Sequence, residues 1–277
     1  MRFAVEIYFP VEIVQVTETF AKLEPTSQNK NLFRDILAAH PREVPWNHTL
    51  SSISHYTMMY LSTTRLCKAF GKHQILSDID LDVAAGEITV VTGANGSGKT
   101  TLLQCLSGLI KPTSGAIQVL GFDTNEQEKE VKRLLAYVPD VPKFYAELTA
   151  WEHLMLIGRA HGVQQNLEGL IQELMVEFDL WQARDLFPHH YSRGMSLKLG
   201  LCLAFIRPYK VLALDEPTAS LDSESSFVLG EYLKKSRSKG NAVLMITHDK
   251  AIIEKLADRI LKLQDGKLSA TSNIDQI

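Results

Sequence analysis

The residues with the clearest chemical meaning lie in the stretch GANGSGKTT, which runs from Gly93 to Thr101. It fits the pattern G-x-x-x-x-G-K-[ST], follows the β-branched run ITVVT and precedes an apolar helical pattern. Glycines at this spacing let successive backbone N–H groups turn toward a phosphate, and the helix start adds positive potential. The context predicts a nucleoside triphosphate site rather than a glycine-rich turn with a chance lysine. We expect contacts to the nucleotide from Gly93, Ala94, Asn95, Gly96, Ser97, Gly98, Lys99, Thr100 and Thr101.

Two adjacent carboxylates, Asp215 and Glu216, follow a second apolar run, VLAL. That run predicts a buried strand whose carboxyl end lies beside the phosphate loop, where open α/β sheets bind their ligands. We expect Asp215 to hold Mg²⁺ through water and Glu216 to take a proton from an attacking water. Lys99 would face the β- and γ-phosphate oxygens, and the Thr100 hydroxyl would ligate Mg²⁺. Without the phosphate loop, the same two acids would indicate only a solvated surface loop.

The elements that position these residues alternate between strands and helices. Short apolar runs predict strands at 88–93, 117–120, 135–138, 210–215, 242–247 and 259–264. Helical stretches separate several of them, which indicates an α/β fold with a mostly parallel sheet. Between about 145 and 205 the strands stop, and Thr149 and Glu152 form a capping box ahead of two helical patterns. The sequence therefore predicts a helical insertion within the α/β domain.

Composition limits the classes of protein that this chain of 277 residues can represent. It is 45% hydrophobic and 22% charged with a formal net charge of -3, which gives no electrostatic case for nucleic acid as the main partner. No run approaches the ~20 apolar residues that span a bilayer, and the N-terminus lacks the pattern of a secretory signal. Cys67, Cys105 and Cys202 have no paired spacing, which indicates small buried side chains in a reducing cytosol.

The first 58 residues differ from the rest. They contain no glycine, although the chain has 16, and they carry no repeat or chemical motif. Two interpretations stay open: a small appended element, or upstream sequence in front of a true start at Met58 or Met59. The domain that carries the motifs is predicted at 59–277.

A small polar tetrad, Ser192-Arg193-Gly194-Met195, stands before an apolar helical pattern that ends at Ile206. Alone it indicates a helix start with Ser192 as N-cap. In the whole chain, however, the order is phosphate loop, helical insertion, YSRGM, LALDEPTASLD and MITHD. This order, over about residues 60–270, resembles the ATP-binding subunits of ABC transporters. The resemblance implies a P-loop NTPase core with an N-terminal antiparallel β element and a helical subdomain at about 145–205.

The resemblance gives the tetrad a role between two subunits. In the family, the corresponding signature loop contacts the γ-phosphate held by the phosphate loop of a second subunit, so that two ATP molecules lie in a head-to-tail dimer. Ser192 would supply a hydroxyl, Gly194 a backbone N–H, and the helix its positive end. Arg193 and Met195 depart from the usual Ser-Gly-Gly-Gln. Similar forms occur in exporter-type members, so the resemblance points to an exporter.

Three further residues receive roles from the resemblance. Phe70 matches the aromatic residue that stacks on adenine, the alternative being a core phenylalanine. His248 matches the switch histidine that contacts the γ-phosphate. Asp140 stands where most of the family has a glutamine that ligates Mg²⁺. A carboxylate is also a hard oxygen ligand, so we expect Asp140 to join Thr100 and Asp215 at the metal, the alternative being a plain turn residue.

The sequence thus predicts an ATPase subunit with ATP and Mg²⁺ as cofactors and Glu216, His248 and Lys99 as catalytic residues. Its expected partners are a second ATP-binding subunit and a separate membrane-spanning transporter subunit, at the inner face of the cell membrane. The helical subdomain at about 145–205 and the loop from Asp140 to Tyr145 would form the groove that receives a cytoplasmic helix of that subunit, with Phe144, Tyr145 and Trp151 as exposed aromatic residues there. The first rival interpretation is a soluble ABC ATPase without a transporter, such as an assembly or translation-type factor. The second is a non-hydrolysing regulatory cassette, and the presence of Glu216, Lys99 and His248 counts against it.

Overall fold

The computed structural model describes residues 58–271, which contain two β-sheets and a set of helices. The smaller sheet has four strands in the order β2-β1-β4-β5, and the larger has six in the order β10-β9-β3-β8-β7-β6. The strands are β1 (Met59–Phe70), β2 (His73–Ala84), β3 (Ile88–Thr92), β4 (Ser114–Val119), β5 (Phe122–Asp123), β6 (Leu135–Val138), β7 (Val211–Asp215), β8 (Ala242–Ile246), β9 (Arg259–Gln264) and β10 (Lys267–Ala270).

The six-stranded sheet is parallel except at one edge. In this sheet β9, β3, β8, β7 and β6 pair in parallel, and only β10 runs antiparallel, joined to β9 by a hairpin turn. Every residue of β3, β6, β7 and β8 is buried. Parallel strands covered on both faces need such continuous apolar runs. The predicted mostly parallel sheet is confirmed.

The predicted strand at 117–120 lies in the other sheet. It forms the end of β4, which pairs antiparallel with β1, for example Thr63 with Ile117. In β4, Ile117 and Val119 are buried whereas Gln118 is exposed. This alternation is typical of an antiparallel strand with one face on the core, and it distinguishes β4 from the fully buried strands of the parallel sheet.

The helices separate the strands of the parallel sheet. They are α1 (Lys99–Leu106), α2 (Glu128–Leu134), α3 (Ala150–Ala160), α4 (Leu167–Glu177), α5 (Arg193–Phe205), α6 (Ser223–Ser238) and α7 (Lys250–Leu256). Between β6 and β7 the chain forms only α3, α4, two short 3-10 turns and α5. α3 begins with the predicted capping box: the Glu152 N–H donates to Thr149 Oγ1 and the Thr149 N–H to the Glu152 carboxylate. None of the helices within 58–271 is long and apolar enough to cross a membrane.

The parallel sheet divides the core into two apolar clusters. Leu212 and Leu214 of β7 face the cluster formed with α3, α4 and α5, whereas Val211 and Ala213 face α1 and the antiparallel sheet. α5 is buried along residues 197–204, as its all-round apolar pattern predicts. Both the phosphate loop and the start of α5 are therefore anchored on well-packed elements.

Candidate nucleotide-binding site

The phosphate loop connects β3 to α1, and its backbone requires glycine at two contact points. A Cβ on Gly93, which has φ +146°, would collide with the carbonyl oxygen of Leu263. A Cβ on Gly98, which has φ +101°, would lie 2.9 Å from the Ile75 side chain. α1 begins immediately at Lys99, so Thr100 and Thr101 lie in its first turn, where backbone N–H groups lack helical acceptors. The loop is therefore packed tightly against its neighbours, and the first turn of α1 that follows it is the kind of helix start that binds anions.

Lys99 is folded into this loop. Its side chain is buried, and Nζ donates to the carbonyl oxygens of Gly93 at 2.7 Å and Ala94 at 3.0 Å. Burial lowers the pKa of Lys99, whereas the nearby carboxylates of Glu216 and Asp215 act in the opposite direction. The ammonium group thus lies between the phosphate loop and the acidic pair.

Asp215 offers a buried oxygen that suits a cation. It ends β7, is 2% exposed, and its Oδ2 has no hydrogen-bond partner among the described residues. Burial raises the pKa of Asp215 to about 6, a hydrogen bond from Thr100 opposes that shift, and the charges of Glu216 and Asp140 add to it. A hydroxyl and a carboxylate are the hard ligands that Mg²⁺ prefers. Since residues 58–271 contain no group of three or more His, Cys, Asp or Glu that could hold a metal, phosphate oxygens would have to complete this site.

Glu216 and His248 meet because β7 and β8 are neighbouring parallel strands. His248 Nε2 lies 3.3 Å from Glu216 Oε1. Glu216 has φ +46°, an uncommon conformation for a side chain of its size, and its N–H donates to the Ile246 carbonyl oxygen at 2.9 Å. Such strain is often found at functional residues. The structure brings these two predicted catalytic residues together at the edge that carries Asp215.

Phe70 lies at the tip of the β1–β2 hairpin and is not a core residue. Its side chain is 50% exposed, and Lys68 Nζ lies 4.8 Å from the ring centroid. The same hairpin and the β9–β10 hairpin border a cavity of about 730 Å³ beside the phosphate loop. The cavity is lined by Gln74, Ile75, residues 93–97, His248 and residues 262–266.

The predicted signature residues, Ser192 to Met195, form the start of α5. Ser192 is the N-cap of α5 and accepts the Met195 N–H at 3.2 Å, so the simple capping role is present. A Cβ on Gly194 would lie 2.6 Å from the Ser220 carbonyl oxygen, which places the start of α5 directly against the loop that follows β7.

Two ion pairs of α5 have no counterpart among the sequence predictions. Arg193 Nη2 lies 2.7 Å from Asp140 Oδ1 and 2.8 Å from Oδ2, so the carboxylate that was expected at the metal is engaged by Arg193. The largely buried Lys198 lies 2.7 Å from Asp222 Oδ2, and Asp222 also caps α6. The sequence did contain a signal for the Lys198–Asp222 pair. Lys198 stands in an apolar stretch of α5, and a buried charge needs a partner.

The aromatic residues expected to be exposed for a partner are in fact partly buried. Phe144, Tyr145 and Trp151 pack against the cluster of α3, α4 and α5, and the Tyr145 N–H donates to His153 Nε2 at 3.0 Å. The exposed apolar side chains of this region are instead Val141, Leu186 and Phe187. Val141 belongs to the loop after β6, whereas the segment 184–187 runs beside the start of α3 through backbone hydrogen bonds, so Leu186 and Phe187 lie near the end of that loop.

A parallel sheet with a glycine-rich phosphate loop after β3 and an acidic pair after β7 defines the class of P-loop nucleotide-binding domains. A family model described as ABC transporter matches residues 76–219. The chain belongs to the ABC transporter family, as one of its ATP-binding domains.

Individual relatives agree with this assignment. The chain is 34% identical over 218 residues to the uncharacterized ABC transporter ATP-binding protein YxlF of Bacillus subtilis (strain 168), covering 78% of this chain and 72% of the relative. It is 32% identical over 209 residues to the bacitracin transport ATP-binding protein BcrA of Bacillus licheniformis, covering 75% and 68%. A solved structure of an ATP binding subunit of an ABC transporter superposes with a TM-score of 0.73 at 31% identity, covering 78% and 91%.

Proposed function

We propose that this chain hydrolyses ATP as one half of an ATP-sandwiched dimer and thereby powers a separate membrane-spanning subunit, which we take to be an exporter. One observation carries the proposal: Lys99, Asp215 and the Glu216–His248 pair converge on the phosphate loop. These groups supply a cation for the phosphates, a metal-binding carboxylate and a proton acceptor for water.

In this proposal each residue has a distinct task. ATP phosphate oxygens would replace the Gly93 and Ala94 carbonyl groups as acceptors from Lys99, which stabilises the charge that develops on the transferred phosphoryl group. Thr100 and Asp215 would hold Mg²⁺, whose chemical contribution would be positive charge at the phosphates. Glu216 would accept the proton of the attacking water, and His248, 3.3 Å from it, would hold its carboxylate in position and donate to the γ-phosphate.

The adenine ring would stack on the free face of Phe70. Lys68 already occupies one side of that ring, and half of the side chain is exposed. Stacking needs only a ring face, so this contact would add affinity for the base but little base specificity.

In the ATP-sandwiched dimer, each nucleotide site would be completed by residues of the second subunit. Ser192 and the start of α5 would face the γ-phosphate bound by the partner subunit, with the helix N-terminus as a source of positive potential. α5 is buried along residues 197–204, so it can present this end rigidly.

The membrane-spanning subunit would dock beside the loop after β6, which places the chain on the inner face of the membrane. Val141 is 55% exposed there, with Leu186 and Phe187 exposed nearby. The exporter direction is inferred from the Ser-Arg-Gly-Met form of residues 192–195. Names of relatives refer both to bacitracin transport and to hemin import, so they do not decide the direction.

The test of the enzymatic part is ATP turnover by the purified chain. Lys99→Ala should lower turnover by about 100-fold or more, because it removes the cation that faces the phosphates. Lys111→Ala, which changes an exposed lysine on the turn after α1, is the control and should keep parental turnover. Parental turnover by Lys99→Ala would refute the assignment of the phosphate loop.

Docking is tested with membranes from the source cell. Val141→Glu should lower the fraction of chain that sediments with the membranes, whereas Val176→Glu should not, although both valines are 55% exposed. Equal retention of both variants would refute this docking surface. A parent chain with ATPase activity that never binds membranes would favour the soluble ABC ATPase instead.

A further inference from the structure

The carboxylate of Asp140 is held by a single guanidinium nitrogen. Both of its oxygens lie within 2.8 Å of Arg193 Nη2, which joins the loop after β6 to the first residue of α5. The Arg193 side chain is 58% exposed and that of Asp140 is 36% exposed. An ion pair this open to water is weak enough to be exchanged for another partner.

The proposed metal site lies near Asp140. β6 and β7 are adjacent parallel strands, with Val138 beside Leu214, so the loop after β6 emerges next to Asp215. The negative charge of Asp140 contributes to the raised pKa of Asp215, which is consistent with this proximity. Asp140 therefore contacts Arg193 and also lies near the residues, Thr100 and Asp215, that would hold a divalent ion.

The start of α5 is fixed without Arg193. Gly194 lies against the Ser220 carbonyl group, and the largely buried Lys198 pairs with Asp222 at 2.7 Å. Ser192 caps the helix as well. Because these contacts already hold α5 on the loop after β7, the Arg193–Asp140 pair must act mainly on the loop after β6.

We propose that Arg193 is a positioning residue that competes with a nucleotide-bound divalent cation for the Asp140 carboxylate. Both oxygens of Asp140 face Arg193, and ligating a cation requires at least one of them. A cation that takes one oxygen leaves Arg193 only the other and lowers the charge that holds it, which weakens the coupling of the loop after β6 to α5. This inference rests on the proposed nucleotide site.

Mn²⁺ together with the non-hydrolysable nucleotide AMP-PNP tests this exchange without relying on activity. Mn²⁺ affinity is measured by electron paramagnetic resonance on the full chain at saturating AMP-PNP. Arg193→Gln should bind Mn²⁺ about two- to five-fold more tightly than the parent, the range expected when an exposed ion pair no longer competes. Arg193→Lys should bind with nearly the parental affinity, since it keeps the positive charge. Arg237→Gln, which removes an ion pair of similar exposure with Asp258, is the control and should leave the affinity unchanged.

The role of Asp140 is isolated by a double variant. Asp140→Asn should weaken Mn²⁺ binding, and adding Arg193→Gln to it should bring no gain. Amide hydrogen exchange of residues 140–145 should be faster in Arg193→Gln than in the parent without metal, and equal in both with Mn²⁺ and AMP-PNP.

Two outcomes would overturn the proposed competition for Asp140. One is unchanged or weaker Mn²⁺ binding by Arg193→Gln, and the other is a gain in Mn²⁺ affinity that persists when Arg193→Gln is combined with Asp140→Asn. A parent chain that binds no Mn²⁺ and AMP-PNP would instead overturn the nucleotide site itself, so the two failures are distinguishable.

Discussion

Gly194→Ala places one methyl group at the contact between α5 and the loop after β7. The new Cβ would lie 2.6 Å from the Ser220 carbonyl oxygen, a backbone atom that cannot rotate away. Since carbon and oxygen normally approach no closer than about 3.3 Å, one segment must move by roughly 0.7 Å. Overpacking of this kind costs about 1–3 kcal/mol. Alanine in a helix gains up to about 1 kcal/mol over glycine, which offsets part of that cost.

A matched glycine in α6 separates the two contributions. A Cβ on Gly230 would have only Leu256 Cδ1 nearby, at 3.9 Å, so Gly230→Ala should simply gain the helix propensity, about 1 kcal/mol. The free energies of unfolding of the two variants, measured by urea denaturation, should therefore differ by about 1–3 kcal/mol. ATP binding by Gly194→Ala should persist, but turnover should fall by about 10- to 100-fold because the signature loop is displaced. If Gly194→Ala were as stable as Gly230→Ala and turned over ATP at the parental rate, the reasoning would be wrong.

Two further predictions concern buried titratable groups. Asp222→Asn should lower the free energy of unfolding by about 1 kcal/mol more than Lys198→Met does, because only the first leaves the Lys198 ammonium without its carboxylate, while asparagine still caps α6. The difference is small because the Asp222 side chain is 54% exposed and water screens the pair. Equal losses in urea denaturation would contradict this asymmetry. Burial lowers the pKa of His153 to about 4, below its ordinary 6.5, so the unfolded chain binds more protons and this residue alone should lower stability by roughly 3 kcal/mol as pH drops from about 6.5 to 4. His153→Gln should make the pH profile less steep by that amount while the slope from His161, whose pKa burial also lowers, remains; an unchanged slope would refute the contribution of His153.

Local patterns predicted most of the fold. The fully buried runs of β3, β7 and β8 and the capping box of Thr149 and Glu152 depend on neighbouring residues, which a sequence displays directly. The sheet to which β4 belongs depends on pairing with the distant β1, and only its alternating burial hints at that. The prediction for 1–58 lies outside the described residues except at Met58.

The candidate site was predictable as a set of residues but not as a set of contacts. Lys99, Asp215, Glu216 and His248 follow from motifs, yet their convergence depends on the order of strands in the sheet. The pairing of Asp140 with Arg193 joins residues far apart in the chain, and no local spacing encodes such a contact. The roles of these residues in binding and catalysis stay predictions.

Partner-facing surfaces were the least predictable part. Aromatic residues beside Asp140 suggested an exposed surface, but packing against α3 and α5 partly covers Phe144, Tyr145 and Trp151. A sequence reveals that a side chain is apolar, whereas burial depends on which helices close over it.

The oligomeric state of Glu216→Gln with and without Mg²⁺ and ATP tests the ATP sandwich most directly. The amide cannot accept the proton of the attacking water, so the variant should bind ATP without turning it over. Sedimentation velocity should then show a monomer without ATP and a stable dimer with ATP. Adding Ser192→Arg should keep the chain monomeric while each chain still binds ATP, because the bulk falls at the γ-phosphate of the partner subunit. A Glu216→Gln chain that stays monomeric under both conditions, with ATP bound, would contradict the sandwich.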